Sequence, residues 1–98
     1  MSISAFMWAY EKRLPPVQKL VLLWATDSWT GRADEYPDES VKLNAHDFME
    51  WVDCDWFAID CAVNALADAG LIRAKKDDAG FTLWLAYVEP PSPPRPDH

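Results

Sequence analysis

Apolar and polar positions along the chain fall into four helix-spaced segments, with strand-spaced segments between and after them. The clearest segment runs from Asp55 to Ile72, DWFAIDCAVNALADAGLI. Ile59, Val63 and Leu66 recur at spacings of four and three, with Ala62 beside them, which makes a core-facing helical stripe. Asp55 offers a carboxylate to cap the first turn, and Gly70 supplies a left-handed C-cap. Leu71-Ile72 then open an apolar β-type run. The opposite side of this helix carries Phe57, Asp60, Cys61, Asn64 and Asp68, and the stretch contains no Lys or Arg.

The segments before it read in the same way. Ser2 or Ser4 can cap a first helix in which Ile3, Phe6, Met7 and Tyr10 share the apolar face. Pro15-Pro16 stops that helix and suits the first turn of a second. The second, from Val17 to about Ser28, is apolar nearly all round, with Gln18 and Lys19 its exposed-looking residues before Thr26-Asp27. Such a helix belongs in the middle of the domain. Trp29 to Ser40 is a polar loop containing Gly31 and Pro37. Its acids Asp34, Glu35, Asp38 and Glu39 lack the alternation and the glycine of a calcium loop.

Val41-Lys42-Leu43 alternates as a short strand. Asn44 followed by Asp47 resembles a capping arrangement, opening a third helix with Phe48, Trp51 and Val52 inward. Asp53-Cys54-Asp55 is then the tight turn into the fourth. Leu71 to Lys75 and Phe81 to Val88 form a hairpin with Asp77-Asp78-Ala79-Gly80 at its tip. Its second strand is apolar on both faces, so something must cover the face turned away from the helices. The N-terminal helix, a second copy of the chain or a target protein would serve. The last residues, 90–98, form a proline-rich disordered tail of polyproline II character. The expectation is one mainly α (α+β) domain over residues 1–89, with four helices and a C-terminal β-hairpin.

Composition alters the picture mainly through charge. Ninety-eight residues make one domain, and half are hydrophobic with six Trp, enough for a core. No apolar run approaches the roughly 18 residues of a membrane span, and the N-terminus lacks the order of a secretory signal, which predicts a cytoplasmic protein. Cys54 and Cys61 sit seven apart on or beside one helix, about 10 Å along its axis, too far for a local disulfide. They read as reduced thiols. Sixteen acids against nine bases give a net charge of −7. Nucleic-acid binding draws chiefly on Lys and Arg, and the long-range field of this chain opposes it.

Catalysis has little to work with. His46 and His98 are the two histidines, and neither stands in an order or spacing that makes a nucleophile–base pair. His46 near Asp47 and Glu50 is a surface helix pattern. His46, Cys54 and Cys61 would give zinc three ligands and no paired cysteine spacing. Asp55 is explained by capping, and Asp53 and Asp60 by solvent. No enzyme activity, metal or cofactor is expected.

Five short pieces, Trp8-Ala9, Leu14-Pro15-Pro16, Lys19-Leu20-Val21-Leu22-Leu23, Tyr36-Pro37 and Ala69-Gly70-Leu71-Ile72, occur in an informative order. This order, over about two-thirds of the chain, resembles the winged helix-turn-helix domain at the N-terminus of phage and plasmid replication-initiation proteins. The resemblance implies a winged-helix fold with a hairpin wing and a phage or mobile-element origin. It also implies that the fourth helix occupies the place of a DNA-reading helix. Where that family carries a Ser, two basic residues, a Thr and a Val, this chain has Asp55, Trp56-Phe57, Ala58 and Ile59. Asp60 and Cys61 follow them. The apolar skeleton is kept and the DNA-facing residues are replaced.

The expected function is therefore non-enzymatic: a phage-type regulator or inhibitor that binds a protein, such as a replication or transcription modulator or a host-defence blocker. The partner would be basic and nucleic-acid-processing, and the acidic exterior would imitate a nucleic acid. The expected partner site is Phe57, Asp60, Cys61, Asn64 and Asp68, with Phe57 either displayed as an anchor or folded back on the core or wing. The alternative is DNA binding through a wing of Arg73, Lys75 and Lys76 in a homodimer, with Asp60, Asp68, Asp77 and Asp78 opposing the duplex.

Overall fold

A helix with no polar side has to be enclosed by other elements. In the computed structural model, which describes residues 3–29 and 39–87, that position is held by α2 (Pro16–Ser28). It touches α1 (Ile3–Glu11), α4 (Trp56–Asp68), β1 (Val41–Asn44) and β3 (Gly80–Leu85). The remaining elements are α3 (Ala45–Trp51) and β2 (Ile72–Lys76). Val21, Leu22, Ala25 and Thr26 of α2 are fully buried. Thr26 is enclosed at no polar cost, because its hydroxyl donates to the Leu23 carbonyl at 2.8 Å.

Among the described residues, four helices and one three-stranded antiparallel sheet make a mixed α+β fold. The strand order β1-β3-β2 puts the last strand in the middle. Val41 and Ala74 both pair with Leu83, and Leu43 pairs with Phe81, giving the row of side chains that faces the helices. Lys42 and Lys75 both pair with Thr82, and Arg73 pairs with Trp84, giving the row that faces away. The hairpin thus gains a third strand, and the apolar character of β3 follows from its central place. The element order and sheet order are compatible with a winged-helix-like arrangement.

The caps of α4 form as its residues dictate. Asp55 accepts from the Ala58 N–H at 2.8 Å. At the other end Gly70 has φ of 77°, and the Gly70 and Leu71 N–H groups donate to Ala67 and Leu66. That pair of bonds is the Schellman exit from a helix. Asn44 caps α3 by accepting from the Asp47 N–H at 3.1 Å. Gly80 is required for a different reason: a Cβ there would lie 1.9 Å from the Leu43 carbonyl oxygen. Only glycine lets β1 and the start of α3 close on the hairpin, a junction sealed by the Ala45 N–H to Ala79 carbonyl bond at 2.9 Å.

Four expectations are corrected. The first helix does not bury Ile3, Met7 and Tyr10; it turns them to solvent and buries Ala5 and Ala9. Small residues let α1 lie close on α2, and Lys19 of α2 holds the contact by donating to the Tyr10 and Lys12 carbonyls. Ser4 lies within this helix rather than capping it. Trp51 is exposed, at the rim of an aromatic cluster with Trp24 and Phe48, because α3 ends there and turns Ala45 and Phe48 into the core. Trp29, assigned to the polar loop, is buried and packs edge-on against Tyr87 at 5.6 Å. Tyr87 also meets Trp8 at 5.4 Å, so α1, the end of α2 and the chain beyond β3 share one aromatic clamp. Ser2, the loop residues Gly31, Asp34, Glu35 and Asp38, the Tyr36-Pro37 pair, the proline-rich tail and His98 lie outside the described residues.

Candidate functional site

Helical spacing divides α4 into two sides. Ile59, Ala62, Val63 and Leu66 are buried, which leaves Phe57, Cys61, Asn64 and Asp68 on the opposite side at spacings of four, three and four. All four are exposed. Phe57 is 73% exposed, so its ring neither folds back on the core nor packs on the hairpin. Its ring is held in solvent in the first turn of a helix capped by Asp55.

Asp60 differs from its neighbours. It is half-buried beside the stripe, and the Lys76 ammonium lies 3.5 Å from its carboxylate. The same ammonium sits 5.5 Å from the centroid of the Trp56 ring, and Trp56 stacks on Phe81 at 6.0 Å. These contacts fix the first turn of α4 against the hairpin. Solvent reaches the ion pair, so its own contribution is small, about 0–1 kcal/mol. Its larger effect is on the charge pattern. Lys76 faces α4, whereas Arg73 and Lys75 lie on the other face of the sheet. The expected basic wing of Arg73, Lys75 and Lys76 is therefore split between two surfaces.

The sheet face turned away from the helices is the part that sequence reasoning missed. Thr82 is nearly enclosed there between Lys42 and Lys75, and the Lys42 ammonium donates to its hydroxyl. The Arg73 guanidinium lies 5.3 Å from the centroid of Trp84. Lys42, Lys75, Asp77, Thr82 and Trp84 line a shallow concavity of about 340 Å³. The alternation of Lys42 with Val41 and Leu43 was visible, but not its pairing with β3.

Other features are quieter. A groove of about 610 Å³ between α1, α2 and α3 is walled by Phe6, Leu23, Trp24 and Trp51, with Asp27 and Lys42 also lining it. His46 reaches Glu50 at 3.2 Å one turn along α3, with both side chains exposed. Both cysteines are free, Cys61 exposed and Cys54 half-buried. Burial pushes the Cys54 thiol up, and the carboxylates of Asp55 and Asp53 push it the same way. That thiol is a poor nucleophile at neutral pH. Among the described residues no three His, Cys, Asp or Glu side chains are grouped to hold a metal ion, and no helix is long and apolar enough to cross a membrane. Comparison with family models, with curated proteins and with solved structures finds no match.

Proposed function

We propose that the chain is a non-enzymatic winged-helix protein of phage or mobile-element type, acting as a regulator or inhibitor by binding a protein partner on the outer side of α4. The element order α2-β1-α3-α4-β2-β3 and the sheet order β1-β3-β2 support the winged-helix reading. In that reading α4 stands where a DNA-reading helix would. It presents Phe57, Cys61, Asn64 and Asp68 instead of cations, and Asp60 beside them engages Lys76.

One observation carries the reading: Phe57, 73% exposed in the first turn of a helix with no Lys or Arg. Acids around an aromatic anchor fit a basic surface, and a net charge of −7 steers such a partner toward it. A nucleic-acid-processing protein has such a surface, and the acidic face would occupy it as a nucleic acid does. Duplex DNA is a poorer ligand for α4, since Asp55, Asp60 and Asp68 would face its phosphates.

The test is affinity capture from a bacterial lysate with the wild type and with a Phe57→Asp/Asp68→Lys variant of unchanged melting temperature. A basic partner held by the wild type and lost by the variant is the expected result. Retention of the same partner by the variant would remove α4 as the binding surface.

A further inference from the structure

We infer that the sheet face turned away from the helices binds single-stranded nucleic acid, a surface separate from the outer side of α4. Three of the nine basic residues, Lys42, Arg73 and Lys75, lie on this one face of a chain with a net charge of −7. They come from both edge strands and surround the central pair Thr82 and Trp84. Cations held around an aromatic ring on a shallow surface are what a single strand requires. Phosphates meet the cations, while unpaired bases stack on a ring or on a guanidinium plane.

The geometry assigns each part. Lys42 and Lys75 flank Thr82 across the sheet, about 10 Å apart at the usual strand spacing, and hold the phosphates on either side. Arg73 already lies over the Trp84 ring, and a base laid on its guanidinium extends that stack. Asp77 is the carboxylate lining this concavity, and its Oδ1 accepts from the Ala79 and Gly80 N–H groups at 2.9 and 2.8 Å. Two donors directed at one oxygen reduce its repulsion of a phosphate. Lys76 takes no part, because it faces Asp60. A duplex is a worse fit: its bases are stacked away from Trp84, and the patch has too few cations to hold two backbones.

Fluorescence anisotropy of labelled oligothymidine and oligouridine, each of roughly a dozen nucleotides, tests the proposal at low salt, with a duplex of equal length alongside. Both single strands should bind more tightly than the duplex, with a log–log salt slope of about −2 for three neutralised phosphates. Any preference between the two reports whether DNA or RNA is the natural strand. Trp84→Leu should weaken binding about tenfold, because it removes the ring that holds the Arg73 guanidinium flat for a base to stack on. Lys42→Gln/Lys75→Gln, which removes both flanking cations and with Lys42 the donor to the Thr82 hydroxyl, should at unchanged melting temperature weaken it at least as much and flatten the salt slope. Phe57→Asp should leave it unchanged, so loss of protein capture and loss of strand binding are separable. No anisotropy change for either single strand would overturn the proposal. So would equal or tighter binding of the duplex, indifference to Lys42→Gln/Lys75→Gln, or displacement by polyglutamate as effective as by the oligonucleotide.

Discussion

On α4, Ile59, Val63 and Leu66 repeat at spacings of four and three; on α1, Ile3, Met7 and Tyr10 repeat at the same spacings. The first stripe is fully enclosed, whereas the second is 73%, 45% and 57% exposed. The two helices differ in what stands on the other side. Behind the α4 stripe are Phe57, Cys61, Asn64 and Asp68, of which two are polar and one is large. Across α1 are Ala5 and Ala9, which present so little bulk that the helix backbone can lie close to α2. Close approach excludes water from both backbones, and Lys19 then satisfies carbonyls at the end of α1. Apolar spacing identifies a helix; the side that turns inward is set by what the neighbouring helix can accommodate.

The largest test of that contrast is a matched truncation. Ile59→Ala should cost about 2–5 kcal/mol, since Ile59 is fully buried and the removed atoms leave a cavity. Met7→Ala on α1, at an exposed position, should change stability by about 0.5 kcal/mol or less. Urea denaturation of the two variants gives both numbers. A cost above about 2 kcal/mol for Met7→Ala would mean that the α1 stripe is covered in solution.

A smaller effect comes from reversing the size of the contact. Ala9→Leu introduces bulk at a position with no exposed surface, between α1 and α2. Overpacking should cost about 1–3 kcal/mol by the same measurement. A neutral result would show that α1 shifts freely on α2 and that small residues are not what set its orientation.

The same contrast explains how much of the molecule was legible from residues alone. Local rules were sufficient wherever one residue determined one backbone feature. Asp55 and Asn44 capped their helices, Gly70 supplied the positive φ, and the all-apolar α2 took the centre. They failed where the outcome depended on a remote neighbour. Nothing near Ile3 says that Lys19 will hold the end of its helix, and nothing near Trp29 says that Tyr87 will cover it. The α4 stripe was readable because it is simply the complement of a buried one. The sheet face was not, since it exists only once β1 pairs with β3 and brings Lys42 beside Thr82 and Lys75. The division of Arg73, Lys75 and Lys76 between two surfaces follows from strand alternation together with the position of Asp60, and the second of these is tertiary.

The smallest expected effect is the most useful for function, because it compares an exposed aromatic on each of the two helices directly. Phe57→Ser and Tyr10→Ser remove rings that are 73% and 57% exposed. Substitutions at such places usually change stability by no more than about 0.5 kcal/mol. Tyr10 should lie at the costly end of that range. Its ring stacks on Phe6 at 6.2 Å and lies 5.0 Å below the Lys19 ammonium, so its removal loosens the α1–α2 contact. Phe57 has most of its surface in water and should lie near zero. Thermal or urea unfolding, measured side by side, orders the two. If Phe57→Ser instead cost more than about 1 kcal/mol, its ring would be packed within the domain in solution. The outer side of α4 would then be structural in the same sense as its inner side, and the proposed partner site would lose its anchor.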